Sequence, residues 1–301
     1  MNLETLNKQF ELPGKLQLTV SDSGIPVVEI NTPVSSAAIS IQGAQLVSWT
    51  PVDEEPVIWL SPSAILGPNK AIRGGIPICW PWFGPHESDG RLPSHGYART
   101  ALWDVVEIVE LEDEQVRVSF RLDKRSVPTE IMTFDCEVEL SISVGSILTL
   151  DLRTTNSNSN PITISEALHS YFNVGDVRNV EVSGLDGCSY LDKVDAGRIK
   201  EQLGAVLFSQ ETDRVYIDTV SECIISDPVL QRKIHINKQG SLSTVVWNPW
   251  SEKAAQMADM GENDYLHMLC VETANVANNS LTLNPGESHE MSVSYSVSRV
   301  A

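Results

Sequence analysis

Six side chains in this 301-residue sequence are of types that move protons or hold anions, and most sit among aromatic, apolar or glycine-rich neighbours: His169, Glu272, Arg73, Arg99, His95 and Asp213. His169 stands in EALHSYFNVGD beside Leu168, Tyr171 and Phe172. An imidazole on a rigid strand next to aromatic rings suits proton transfer to a sugar stacked on those rings; a core histidine satisfied by a neighbour has the same local sequence. Glu272 lies in the apolar run MLCVETANV, where strand alternation puts it on one face with Cys270. There it is either a general base or half of an ion pair. Arg73, in IRGG, and Arg99, in GYARTALW, present planar forks that fit phosphate or carboxylate, including any of the chain's 40 acidic residues. His95, four residues before Arg99, can bond a ligand or cap a turn. Asp213, in QETDRVYID, reads from position alone as an acidic turn residue.

Other chemistries lack their residues. None of the six histidines falls in HxH or HExxH spacing, so no metal site is expected. There is no GxSxG elbow, P-loop or dinucleotide fingerprint, and no cofactor is expected. Five cysteines, odd in number, widely spaced and without CxxC, exclude a disulfide framework and fit a reducing compartment. A net charge of −19 argues against nucleic acid or an anionic membrane as partner. An anionic small molecule remains open to it, because a few cations rule locally once charges beyond about 10 Å are screened. The N-terminus has Glu4 and no apolar stretch of a secretory signal, and no apolar run approaches the ~18 residues of a membrane span. A cytoplasmic protein is the expectation.

The elements that must hold these residues are strands. Leu3, Leu6 and Phe10 give one short amphipathic helix, and SEKAAQMADM allows a second. Elsewhere the period is two: LQLTV and VVEI, AAISIQGAQLVSW broken at Gly43, WDVVEIVEL and QVRVSFRL, CEVELSISV and ILTLDLRTT, ITISEALHSYF, SLSTVVWNPW, HMLCVETANV and MSVSYSVSRV. Residues 61–103 interrupt this pattern with six prolines, six glycines and five of the chain's larger aromatics, the texture of a functional irregular segment rather than a disordered one. Without repeat or linker, residues 1–301 read as a single all-β domain. Its expected form is a large β-sandwich of two packed antiparallel sheets with roughly fifteen or more strands and few short helices.

The motifs IRGGIPICWPWFG, LPSHGYARTALW, ALHSYFNVGD, ETDRVY, VWNPW and CVETANV occur in that order from about Gly43 to the last strand. Together they resemble the hexose-6-phosphate mutarotases, or glucose-6-phosphate 1-epimerases, of the galactose mutarotase-like superfamily. The resemblance implies a β-supersandwich with neither metal nor cofactor. It implies that His169 is the general acid, Glu272 the general base, and that Arg73 and Arg99 bind substrate through its phosphate. It implies that Asp213 meets a sugar hydroxyl, with Asp192 in YLDKVD as the competing aspartate. Ser94, in LPSHG, stands where some members have glutamine and is shorter. Trp80, Trp82, Trp247 and Trp250 offer ring faces for the C–H surface of a sugar, or pack the core.

Anomer exchange needs ring opening: a base takes the proton of the anomeric hydroxyl while an acid protonates the ring oxygen, the C1–C2 bond turns, and closure reverses both transfers. Protonated His169 and ionised Glu272, facing each other across the ring, are the expected pair, each stabilising the other's charge. The expected substrate is a small hexose 6-phosphate, and the expected state a monomer or weak dimer. Two other readings compete. A non-catalytic carbohydrate-binding β-sandwich keeps the tryptophans without needing the pair. A glycoside hydrolase uses two carboxyls at ~5–9.5 Å, here Glu272 and Asp213, and leaves His169 without a role.

Overall fold

The computed structural model describes residues 3–10, 12–132 and 134–299. Among the described residues, twenty-three strands form antiparallel sheets of nine, eight, four and two strands. The expected all-β antiparallel architecture is present, with more sheets than the two expected. The four-stranded sheet is a meander of Leu16–Val20, Pro26–Asn31, Ser35–Ser40 and Gln45–Pro51. The nine-stranded sheet holds the strongly alternating segments, among them Trp103–Glu110, Cys136–Val144, Leu148–Asn156 and Ser288–Arg299. In Cys136–Val144 the even-numbered residues are buried and the odd-numbered ones partly or fully open, as a half-buried strand requires. The eight-stranded sheet contains Ser243–Asn248 and Met268–Asn275, in which every residue is buried. One apolar cluster takes side chains from all four sheets, including Leu46, Phe120, Ile164, Val246 and Leu283.

Two expectations change at the level of elements. ITISEALHSYF is not one strand but three pieces, Ile162–Ile164, Glu166–Leu168 and Tyr171–Asn173. The first belongs to the two-stranded sheet and the others to the eight-stranded one. Ser165 makes the first break: its N–H donates to the Pro81 carbonyl and its hydroxyl accepts from the Phe83 N–H. The second helix covers only Trp250–Ala254, and turns replace it up to Met260.

Residues 61–103 carry little regular structure beyond Ile78–Cys79, yet their backbone is pressed onto the sheets. Gly74 and Gly75 have φ of +107° and +69°, and a Cβ on Gly75 would lie 2.3 Å from the Leu46 carbonyl oxygen. Only glycine fits there, which explains the pair after Arg73. A Cβ on Gly96, φ +71°, would meet the Trp80 carbonyl oxygen at 1.9 Å.

Candidate active site

The register of the eight-stranded sheet builds the site. Glu166–Leu168 and Tyr171–Asn173 both pair with Met268–Asn275, Leu168 opposite Thr273 and Tyr171 opposite Cys270. His169 and Ser170 therefore lie unpaired opposite Glu272 and Val271. The His169 N–H donates instead to the Pro77 carbonyl (3.0 Å), and that of Tyr171 to Gly75 (3.0 Å). On the other side of the same strand, Glu272 pairs with Val245 and Cys270 with Trp247. One strand further, Val215 pairs with Val245 and Asp213 with Trp247. Paired residues share a face, so Tyr171, Cys270, Trp247 and Asp213 form one row, and Glu272, Val245 and Val215 the next.

This face floors a cavity of about 570 Å³, within the range of small-ligand sites. Its walls include Arg73, His95, His169, Asp213, Trp247 and Glu272. Six of the eight residues nominated from sequence thus meet in one place. The other two, Arg99 and Ser94, do not line it. Arg99 donates through Nη2 to the Ser94 carbonyl at 2.7 Å, and Ser94 is exposed. Asp192 is occupied elsewhere, bound to Lys200 Nζ at 2.7 Å and accepting from the Val194 N–H. Of the four tryptophans offered for stacking, Trp247 lines the cavity. Trp80 and Trp82 belong to the core, and Trp250 packs on Tyr265.

His169 Nε2 lies 3.4 Å from Glu272 Oε1, with 8% and 1% of the two residues exposed. His169 Nδ1 and Glu272 Oε2 are buried without a hydrogen-bond partner. Tyr171 stacks on the imidazole, centroids 4.8 Å apart and 15° between planes, and Trp247 meets it edge-on at 6.1 Å. The two groups sit side by side, not across a ring's width as expected from sequence.

Their charge state also differs from expectation. Burial holds the His169 imidazole well below its ordinary range, with help from neighbouring His95, Arg99 and Arg73. Burial, with Asp213 nearby, holds the Glu272 carboxyl well above its range. Both shifts favour the uncharged form of each partner, so burial opposes the ion pair that the 3.4 Å contact would otherwise favour.

The remaining walls are held firmly. Arg73 donates through Nη1 to the Tyr171 hydroxyl at 3.0 Å, and its Nε lies 3.2 Å from Asp259 Oδ2. His95 has φ +64°, the left-handed region that few side chains adopt and that clusters at functional sites. Its Nδ1 accepts from the Gly84 N–H at 3.3 Å, which turns Nε2 into the donor. Burial and then Arg99 lower its imidazole to about 3, so it stays neutral. Asp213 is raised by burial, against the pull of Lys253 and Lys193. Sequence reasoning did not single out Lys193, Lys253, Phe83 and Ser165, which also line the cavity. Phe83 and Ser165 sit within quoted segments but carry no chemical signature, Lys193 becomes legible only through the register, and Lys253 only through the position of the helix Trp250–Ala254. Among the described residues no group of three His, Cys, Asp or Glu is placed to hold a metal ion, and no helix is long and apolar enough to cross a membrane.

The profile of the aldose 1-epimerase family matches residues 26–296. The chain belongs to that family. A Salmonella typhimurium member, provisionally named glucose-6-phosphate 1-epimerase, is 38% identical over 274 residues, 89% of this chain and 91% of its own length. An Escherichia coli protein of the same provisional name is 36% identical over 253 residues, 83% of each chain. The crystal structure of a Salmonella typhimurium protein described provisionally as a mutarotase superposes with a TM-score of 0.87 at 32% identity, covering 98% of this chain and 99% of that one. This aldose 1-epimerase family member is thus an isomerase with a mutarotase fold and mutarotase activity.

Proposed function

We propose that the protein interconverts the α and β anomers of hexose 6-phosphates, glucose 6-phosphate among them, with Glu272 and His169 as the proton-transferring pair. The observation that carries the reading is the direct His169–Glu272 contact on the cavity floor. In its ion-pair form, Glu272 takes the proton from the anomeric hydroxyl and His169 Nε2–H gives one to the ring oxygen. The bond from carbon one to the ring oxygen breaks and leaves an open-chain aldehyde. Rotation about C1–C2 presents the other carbonyl face. Closure returns the ring-oxygen proton to His169 and the Glu272 proton to the new anomeric hydroxyl, so no proton is gained or lost. Neutral His95 donates from Nε2, Asp213 accepts from a hydroxyl, and Arg73, held by Tyr171 and Asp259, anchors an oxygen. The phosphorylated sugar is the reading that the provisional names of the relatives support.

The test is NMR exchange spectroscopy on glucose 6-phosphate with His169→Asn. Enzyme-dependent exchange should fall by about 10²–10⁴-fold, the usual contribution of a proton-transferring side chain. Wild-type rates in a folded variant would remove His169 from the mechanism.

A further inference from the structure

The register that puts His169 opposite Glu272 carries no ladder bonds at His169 itself, because pairing stops at Leu168 and resumes at Tyr171. The histidine backbone is held from elsewhere. Its N–H donates to the Pro77 carbonyl at 3.0 Å, and the N–H of Ser170 turns back to the Leu168 carbonyl at 3.0 Å, a three-residue turn. Ser170 Oγ lies 3.2 Å from the same carbonyl.

Alternation sends His169 and Tyr171 toward the cavity and Ser170 and Phe172 to the opposite face. There they meet Tyr295. It belongs to Ser288–Arg299 and pairs with Ile236 on one side and Leu148 on the other, so its backbone is fixed inside the nine-stranded sheet. Its hydroxyl is 2.5 Å from Ser170 Oγ, and its ring meets Phe172 edge-on, centroids 5.4 Å apart. Ser170 and Tyr295 are both fully buried. The Leu168 carbonyl can only accept, so the one hydroxyl proton of Ser170 goes there, and Tyr295 is the donor to Ser170. The chain runs one way, from the Tyr295 hydroxyl through the Ser170 hydroxyl to the Leu168 carbonyl.

Packing alone does not ask for these hydroxyls. Their neighbours Leu168, Phe172, Leu269 and Val271 belong to the apolar cluster, where a hydroxyl costs stability unless it is bonded. What the bond adds to apolar contact is direction: it fixes a distance and an angle, where apolar surfaces slide. The residue so fixed adjoins His169, whose Nε2 stands 3.4 Å from Glu272 Oε1 with no ladder bond of its own to keep it there.

We propose that Tyr295 is a positioning residue for the proton-transferring pair: from the neighbouring sheet, through Ser170, it sets where the unpaired His169 stands relative to Glu272. This rests on the anomerase reading above and adds to it a group outside the cavity wall.

The experiment compares wild type, Tyr295→Phe, Ser170→Ala, their double variant and Tyr216→Phe. The last removes another tyrosine hydroxyl bond, 2.7 Å to Gln202 Oε1, from a buried side chain that does not line the cavity. NMR exchange on glucose 6-phosphate gives kcat and KM. The imidazole NMR signals of His169, assigned by their loss in His169→Asn, report its surroundings without turnover, and urea unfolding gives stability. In Tyr295→Phe, kcat should fall about 10- to 100-fold with KM within about twofold, the scale on which a misplaced reacting group acts, and the His169 signals should move. Ser170→Ala should do the same, and the double variant should be no worse than the worse single one, as for two ends of one bond. Tyr216→Phe should lose similar stability with neither change. An unchanged kcat in Tyr295→Phe, unmoved His169 signals, additive losses in the double variant, or an equal loss of kcat in Tyr216→Phe overturns the assignment. If wild type exchanges no anomers, the anomerase reading falls and the His169 signals decide alone. Moved by Tyr295→Phe and not by Tyr216→Phe, they support Tyr295 as the residue that places the imidazole; unmoved, they overturn it. Ser170→Ala, which cuts the same bond from its other end, carries the test where Tyr295→Phe does not fold.

Discussion

Two glutamate–histidine pairs share the paired strands Glu166–Leu168 and Met268–Asn275 between them, and one of the two borders the cavity. Glu272 meets His169 at 3.4 Å; Glu166, three residues before His169, meets His289 at 3.5 Å. Both glutamates are at most 1% exposed, and both leave one carboxyl oxygen without a partner. They differ in what else touches them. Glu166 accepts from Asn275 Nδ2 at 3.0 Å, and His289 Nε2 lies 2.8 Å from the Gly240 carbonyl, which uses its N–H. Burial, opposed by that Asn275 bond, brings the Glu166 carboxyl to about 7. Glu272 has no such donor and has Asp213 nearby, and it is pushed well above its range. One donor and one neighbouring charge, besides the cavity that His169 and Glu272 line and Glu166 and His289 do not, separate the two pairs. Burial alone marks neither as catalytic.

The contrast breaks most directly by replacing each glutamate. Glu272→Gln should lower anomer exchange by about 10²–10⁴-fold while Glu166→Gln stays within a few-fold of wild type. Similar losses in both, measured by the same NMR exchange, would mean that the Glu166 pair also serves the reaction.

The second effect is thermodynamic and belongs to Glu166. Its folded-state carboxyl titrates near 7, above the ordinary range it keeps in the unfolded chain. Below about pH 4.5 both states hold the proton. Between about pH 4.5 and 7 the unfolded chain ionises first, so stability falls by about 3 kcal/mol and then levels. Glu166→Gln, which keeps a partner for Asn275, should lose that much less between pH 5 and 7.5 in urea unfolding. Parallel curves for the two proteins would show that Glu166 is not the group responsible.

The smallest effect sharpens the catalytic side. Tyr171→Phe removes the bond from Arg73 but keeps the ring stacked on His169. Losing one hydrogen bond to a charged group costs about 1.5–3 kcal/mol. It should appear mainly in KM, with kcat within a few-fold. A collapse of kcat instead would give the hydroxyl a part in proton transfer.

The sequence carries much of this, and the limits are physical. Alternation made the strands readable, and Glu272 stood out because a carboxylate in an all-apolar run has no solvent face to occupy. His169 was visible for the same reason. Local pattern does not encode register between strands, so the row from Tyr171 to Asp213 was invisible although its residues were noticed. Arg99 shows a second limit: a motif fixes its place in the chain, while the Gly43 backbone, where a Cβ would lie 2.6 Å from the Arg99 carbonyl oxygen, fixes where that chain goes. The tryptophans could not be sorted because core packing and sugar stacking want the same ring. The Glu166–His289 pair was missed because its members are 123 residues apart, and Glu166 stood inside a segment read as one strand.

The two-residue gap at His169 and Ser170, between strand pieces that share one partner, also sets an order in time. That partner, Met268–Asn275, is made about a hundred residues after His169 and is central to its sheet. Until it inserts, Glu166–Leu168 and Ser243–Asn248 are each paired on one side only, with Ile78–Cys79 and Thr212–Tyr216, and acid and base belong to separate halves. Contacts of such sequence separation form late and slowly. A chain emerging from the ribosome therefore acquires its strands long before its chemistry, and the return of anomer exchange during refolding reports the closing of the sheet itself.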